Sequence, residues 1–171
     1  MVKMLGVVLV LGAGTLYGFV QAMHYARRPK QIRQLHQALQ RLETEIVYGY
    51  TPLPEALLSV SMQINEPLSS MFAELGGSLA REERTVREVW EGTLRKYWGH
   101  SSMKSVEFQA MLQLGYTLGL SDREDQVKHL KLAAAQLHAE EKQAADEQKR
   151  YEKMWKSLGL LMGALVVILM Y

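Results

Sequence analysis

Apolar positions along this chain fall into three regimes. From Met4 to Met23 they are nearly continuous, 20 residues without a formal charge and with Gln21 alone strongly polar. From there to about residue 156 they recur at helical spacing among charged residues. From Ser157 to Tyr171, 15 residues, they are continuous again. A bilayer crossing takes about 20 apolar residues, so the first run predicts a transmembrane helix. The second predicts a thinner span if Met154 and Trp155 are included and Lys156 snorkels to the headgroups, with Trp155 and Tyr171 at the interfaces. The expected layout is a span over 1–26, a helical domain over 27–156 and a span over 157–171.

The middle segment shows no sustained period-two alternation, and an all-α bundle of about six helices is expected. After Arg28-Pro29, which bends the exit from the first span, Ile32, Leu35, Leu39, Leu42 and Ile46 form an apolar seam of the coiled-coil kind that Gly49 ends. Thr51 reads as the cap of a second helix, with Pro52 at its first position and Leu53, Ala56, Leu57, Val60 and Ile64 inward. Beyond Asn65-Glu66-Pro67 come two further stripes: Leu68, Met71, Phe72, Leu75 and Leu79, then Val86, Val89, Trp90, Leu94 and Tyr97. Ser101 or Ser102 reads as the cap of a fifth helix, with Val106, Phe108, Met111, Leu112, Gly115 and Leu118 available for burial. Ser121-Asp122-Arg123-Glu124 is a capping box. It opens a last helix uninterrupted by Pro or Gly until Gly159, with Val127, Leu130, Ala134, Leu137, Ala144 and Tyr151 as a second seam. Paired antiparallel, the two seams would set Ile46 against Val127 and bring the two spans side by side.

Charge then orients the chain. The net charge of +2 and mean hydropathy of −0.11 hide an uneven distribution. Arg27, Arg28, Lys30 and Arg33 follow the first span, and Lys149, Arg150, Lys153 and Lys156 precede the second. Both collars stand on the domain side, which places the domain in the cytoplasm. Residues 34–148 carry 11 Lys and Arg against 17 Asp and Glu. An acidic body between basic collars suits an anionic leaflet and gives no face for nucleic acid. A cleaved signal peptide is the rival reading of the N-terminus. The apolar core is longer than a typical h-region, and the basic flank follows rather than precedes it, which favours a retained span. Gly14 and Gly18, and Gly159 and Gly163, have the small-xxx-small spacing that lets helices pack closely in lipid.

Catalytic chemistry finds no footing. With 0 Cys there is no disulfide, thiolate metal site or Cys nucleophile. His24, His36, His100, His129 and His138 include no pair at metal-ligand spacing on one helix face. Gly12-Ala13-Gly14 is not a phosphate loop, because its third glycine is misplaced and no strand precedes it. Glu43/Glu45, Glu82/Glu83 and Glu140/Glu141 read as solvated helical charges. No enzyme activity, cofactor or metal is expected.

The strings Glu45-Ile46-Val47-Tyr48-Gly49-Tyr50-Thr51-Pro52-Leu53-Pro54-Glu55-Ala56, Leu118-Gly119-Leu120-Ser121-Asp122 and Tyr151-Glu152-Lys153-Met154-Trp155-Lys156-Ser157-Leu158-Gly159, with Arg28-Pro29 ahead of them, resemble the stage III sporulation protein AB family over nearly the whole chain. The resemblance implies an integral membrane protein of the mother-cell membrane around the forespore, within the channel complex joining the two cells. It also implies a helical domain similar to the cytoplasmic domain of the F-type platform protein of type II secretion. The implied partners are the other channel subunits, above all the complex's secretion-type ATPase, with membrane lipids and a homo-oligomer also admitted.

Two function classes follow: a platform coupling a motor to a channel, and a membrane-anchored regulator binding a signalling partner. The candidate contacts are Tyr48 and Tyr50, aromatics of interface type beside a helix end, and the charged surface of Glu82, Glu83 and Arg84.

Overall fold

Heptad-like spacing is realised as helix wherever the sequence places it. The computed structural model describes residues 26–81, 84–118 and 123–170. Among the described residues there are six helices and no strand: α1 (26–47), α2 (Leu53–Ser61), α3 (Leu68–Leu79), α4 (Val86–Trp98), α5 (Ser105–Leu118) and α6 (Arg123–Met170). They group into two compact units. One is Lys30–Lys142; the other takes the described residues up to Pro29 together with those from Gln143 onward.

Within Lys30–Lys142 the first seam is buried as expected. Ile32, Leu35, Leu39 and Leu42 are fully enclosed and Ile46 nearly so. Leu130, Ala134 and Leu137 of α6 are buried too, whereas Val127 is only half-buried. The pairing is antiparallel, and polar contacts fix its register. Arg33 meets Glu141 at 2.6 Å; three residues on, His36 stacks on His138; seven further, Glu43 meets Lys131 at 3.6 Å. Each step forward on α1 is matched by an equal step back on α6.

Two of the expected helix starts differ. α2 begins at Leu53 with Pro52 in the cap position, its ψ of 147° extended. Thr51 makes no cap because its hydroxyl turns back and donates to Glu45 Oε2 at 3.1 Å. Neither Ser101 nor Ser102 caps α5. The Ser101 hydroxyl donates to the Trp98 carbonyl and the Ser102 N–H to Gln31 Oε1. α5 starts at Ser105, and the Lys104 N–H is satisfied by the Glu107 carboxylate at 2.7 Å, which buries Glu107 completely. α4, by contrast, carries a capping box, Thr85 with Glu88, that the hydrophobic stripe alone did not reveal. The box expected at Ser121-Asp122 lies outside the described residues.

α4 and α5 lock through Trp90, the largest fully buried side chain. Its indole N–H donates to the Met111 carbonyl at 2.7 Å, and the ring lies where a Cβ at position 115 would be. Gly115 is required by that close approach.

In the second unit α6 continues to Met170 without a break at Gly159. Among the described residues no helix is long and apolar enough to cross a membrane. The run Met4–Met23 lies outside them. The described part of the second run exposes Leu158, Leu161, Leu165 and Ile168, at spacings of three and four, to surroundings the chain itself does not fill.

Candidate functional site

Three places in the Lys30–Lys142 body combine exposure with unusual geometry. The first is the corner between α1 and α2. Residue 50 is the one described non-glycine residue with positive φ, 55°, a region that costs a β-carbon-bearing residue about 1 kcal/mol or more. Gly49, expected to end the helix through such a φ, does not adopt one. It is needed because a Cβ there would press on the Glu45 carbonyl and the Thr51 hydroxyl. The Glu45 carboxylate ties the corner down, accepting from Thr51 on one oxygen and from Ser59 of α2 at 3.2 Å on the other. On this fixed corner Tyr48 is 80% exposed and Tyr50 76%. Two large aromatic rings in water beside a strained, well-tied turn are what an interface displays and a core does not.

The second place is a cleft of about 370 Å³ between α3 and α4, lined by Glu74, Ser78, Arg81, Arg84, Glu88 and Lys96 among others. Arg84 of the expected charged surface is on its rim and exposed. Glu82 and Glu83 lie outside the described residues. A 3.2 Å pair with Glu74 raises the Lys96 ammonium above its usual range. On α4, hydrogen bonds from Arg95 and from the Tyr116 hydroxyl lower the Glu91 carboxyl, and Arg87 sits 4.1 Å over the Tyr116 ring. These surface pairs organise the face and add little to stability.

The third place was not anticipated. Glu141, read from its neighbour Glu140 as a solvated charge, is buried in the α1–α6 seam at 9% exposure. It continues the spacing of Leu130, Ala134 and Leu137. Arg33 satisfies one of its oxygens and His138 approaches the other at 3.8 Å. His36 and His138, too far apart in sequence to share a helix face, stack with ring centroids 5.2 Å apart. Burial, and next the proximity of His138, lower the His36 pKa from its ordinary 6.5, with Glu141 opposing.

Comparison with known proteins decides what this helical body is related to. Residues 3–171 match the family model of stage III sporulation protein AB. The chain belongs to that family. It is 43% identical over 170 residues to stage III sporulation protein AB of Bacillus subtilis (strain 168), covering 99% of both chains. It also resembles a solved structure of stage III sporulation protein AB, with 41% identity and a TM-score of 0.68 over 72% of this chain and 98% of that one.

For this member of the family the basic collars are unequal in placement. Arg27, Lys30, Lys149, Arg150 and Lys153 are exposed. Arg33 is exposed yet engaged with Glu141. Arg28 is buried, and within the second unit it donates to Glu147 at 2.9 Å, so it offers no cation to a headgroup. The Lys156 side chain, Gly14 and Gly18 lie outside the description. A Cβ at Gly159 would meet nothing within 4 Å, which leaves that face of α6 open to a neighbour; Gly163 is a further helical residue of α6.

Proposed function

We propose that this stage III sporulation AB protein is a non-enzymatic membrane platform. In this reading its helical domain faces the mother-cell cytoplasm and couples the sporulation channel's secretion-type ATPase to membrane-embedded subunits. The observation carrying the proposal is the corner at Tyr48 and Tyr50. Strain is retained there with both rings exposed, on a turn that Glu45 anchors from two sides. Family membership places the protein in sporulation, and the exposed stripe Leu158, Leu161, Leu165 and Ile168 supports an α6 that ends in lipid. A motor docked at the corner pushes on the end of α1, and the α1–α6 seam carries that push along α6.

The test is capture of the ATPase of the same complex by the detergent-solubilised protein, compared with Tyr48→Ala and Tyr50→Gly. Both substitutions are at exposed positions and should preserve the helical spectrum. Loss of capture in both supports docking at the corner. Capture at the parental level in both would overturn it, and no capture by the parent protein would overturn the partnership itself.

A further inference from the structure

The His36, His138 and Glu141 cluster has donor chemistry that the platform role does not use. One ligand atom from each residue lies within 4.8 Å of the others. A zinc-class ion bonded at about 2.1 Å in tetrahedral geometry holds its ligand atoms roughly 3.4 Å apart. One pair, His138 Nδ1 and Glu141 Oε2, already stands at 3.8 Å. The remaining closure, from at most 4.8 Å, calls for side-chain adjustment, for which His138, 50% exposed, has room.

The two carboxylate oxygens have separate tasks. Oε1 accepts from Arg33 at 2.6 Å, which fixes the plane of the carboxylate, while Oε2 is the oxygen turned to His138. Such an outer partner that orients a ligating carboxylate is a regular feature of metal sites. Two imidazoles and one carboxylate suit zinc, cobalt, nickel or copper and not calcium or magnesium, which take oxygen donors.

We propose that His36, His138 and Glu141 form a transition-metal site of the zinc class, with three protein ligands and one open position, which fastens α1 to α6. The Arg33 charge beside the carboxylate weakens affinity without removing any donor. Metal binding here joins residues about 100 positions apart in sequence and is independent of whether the domain meets an ATPase.

The experiment uses the full chain in detergent, carrying no polyhistidine tag. It is titrated with cobalt(II) chloride, followed by visible absorption, and the cobalt is then displaced with zinc chloride. One equivalent of cobalt per chain with the intense bands of a tetrahedral or five-coordinate ion, displaced by zinc, is expected. His138→Gln and Glu141→Gln should each weaken binding by at least about 10-fold, and His129→Gln, at another histidine of α6, should not. Zinc should raise the thermal midpoint of the parent protein and leave that of His138→Gln unchanged. Because His138 is exposed, His138→Gln decides the matter even if Glu141→Gln fails to fold. Absence of saturable cobalt binding would overturn the site, as would binding that survives His138→Gln undiminished.

Discussion

Replacement of Gly115 by alanine should destabilise this protein, although alanine is ordinarily the better helix former. The added methyl would fall on Cδ1, Cγ and Nε1 of Trp90. These are atoms of a rigid ring that cannot fold aside as the end of a flexible chain could. The ring is itself held, fully buried, by its bond to the Met111 carbonyl. Overpacking a core costs about 1–3 kcal/mol. Displacing the indole forfeits about 1 kcal/mol of hydrogen bonding. Helix propensity returns about 1 kcal/mol. The balance is a loss of about 1–3 kcal/mol, a fall in thermal midpoint of roughly 4–10 °C. Thermal and urea unfolding followed by far-ultraviolet circular dichroism would measure it. The same change made in a Trp90→Leu background meets no indole and should be neutral or stabilising, giving a coupling of about 1 kcal/mol or more. A rise in midpoint for Gly115→Ala in the parent protein, or the same loss in both backgrounds, would refute the claim that α4 and α5 meet through this contact.

Leu39→Asp places a charge in a fully enclosed seam, a cost of several kcal/mol that rivals the stability of a small domain. It should abolish the cooperative helical unfolding transition, whereas Leu39→Met should keep it. Because the His36 pKa is lowered on folding, the unfolded chain takes up the proton first as pH falls. Its contribution to stability is complete above pH 6.5 and is lost progressively below it, so stability measured by urea midpoint should rise through that region and rise less in His36→Gln. A cysteine introduced at Arg84 should resist a membrane-impermeant reagent in intact cells before engulfment is complete; labelling would place the domain on the wrong side. A flexible insertion after Glu140 parts Glu141 from Arg33 while leaving the apolar seam of α1 and α6 N-terminal to it in place; it should lower sporulation, and sporulation at the parental level would contradict force transmission through the seam.

The two seams were legible because burial and helical period act together there: every position from Ile32 to Ile46 that the spacing assigned inward is inward. Helix starts were less legible because a hydroxyl has several backbone groups within reach. Thr51 looks like a cap in isolation but finds Glu45, and Ser101 finds the Trp98 carbonyl. Charge burial was hidden for a related reason: Glu141 reads as a solvated charge, and nothing in the sequence marks Glu107. Glu107 and Glu141 are polar by type, yet each is enclosed because a specific donor, the Lys104 N–H or the Arg33 guanidinium, meets it there. The histidine cluster joins two helices, so no spacing within a single helix carries it. The expected antiparallel register contained it, since pairing Ile46 with the start of α6 already brings His36 opposite the turn that holds His138. The exposed pair Tyr48 and Tyr50 was legible as a corner, but the strain at Tyr50 was not, because the neighbouring Gly49 is the residue that sequence would nominate for a positive φ.

Glu141 also governs sliding. Two apolar seams with a seven-residue repeat can in principle slip past one another by a turn or a heptad and find leucine against leucine again. Here a slip in either direction would pull Glu141 from Arg33, and one towards the middle of α1 would leave a carboxylate without its partner beside Leu39 and Leu42, at a cost of several kcal/mol. The seam therefore behaves as a keyed joint. A load applied along α1 would be passed on to the stretch of α6 it grips as displacement, because ratcheting to the next register would break the Arg33–Glu141 and Glu43–Lys131 pairs and the His36–His138 stack together.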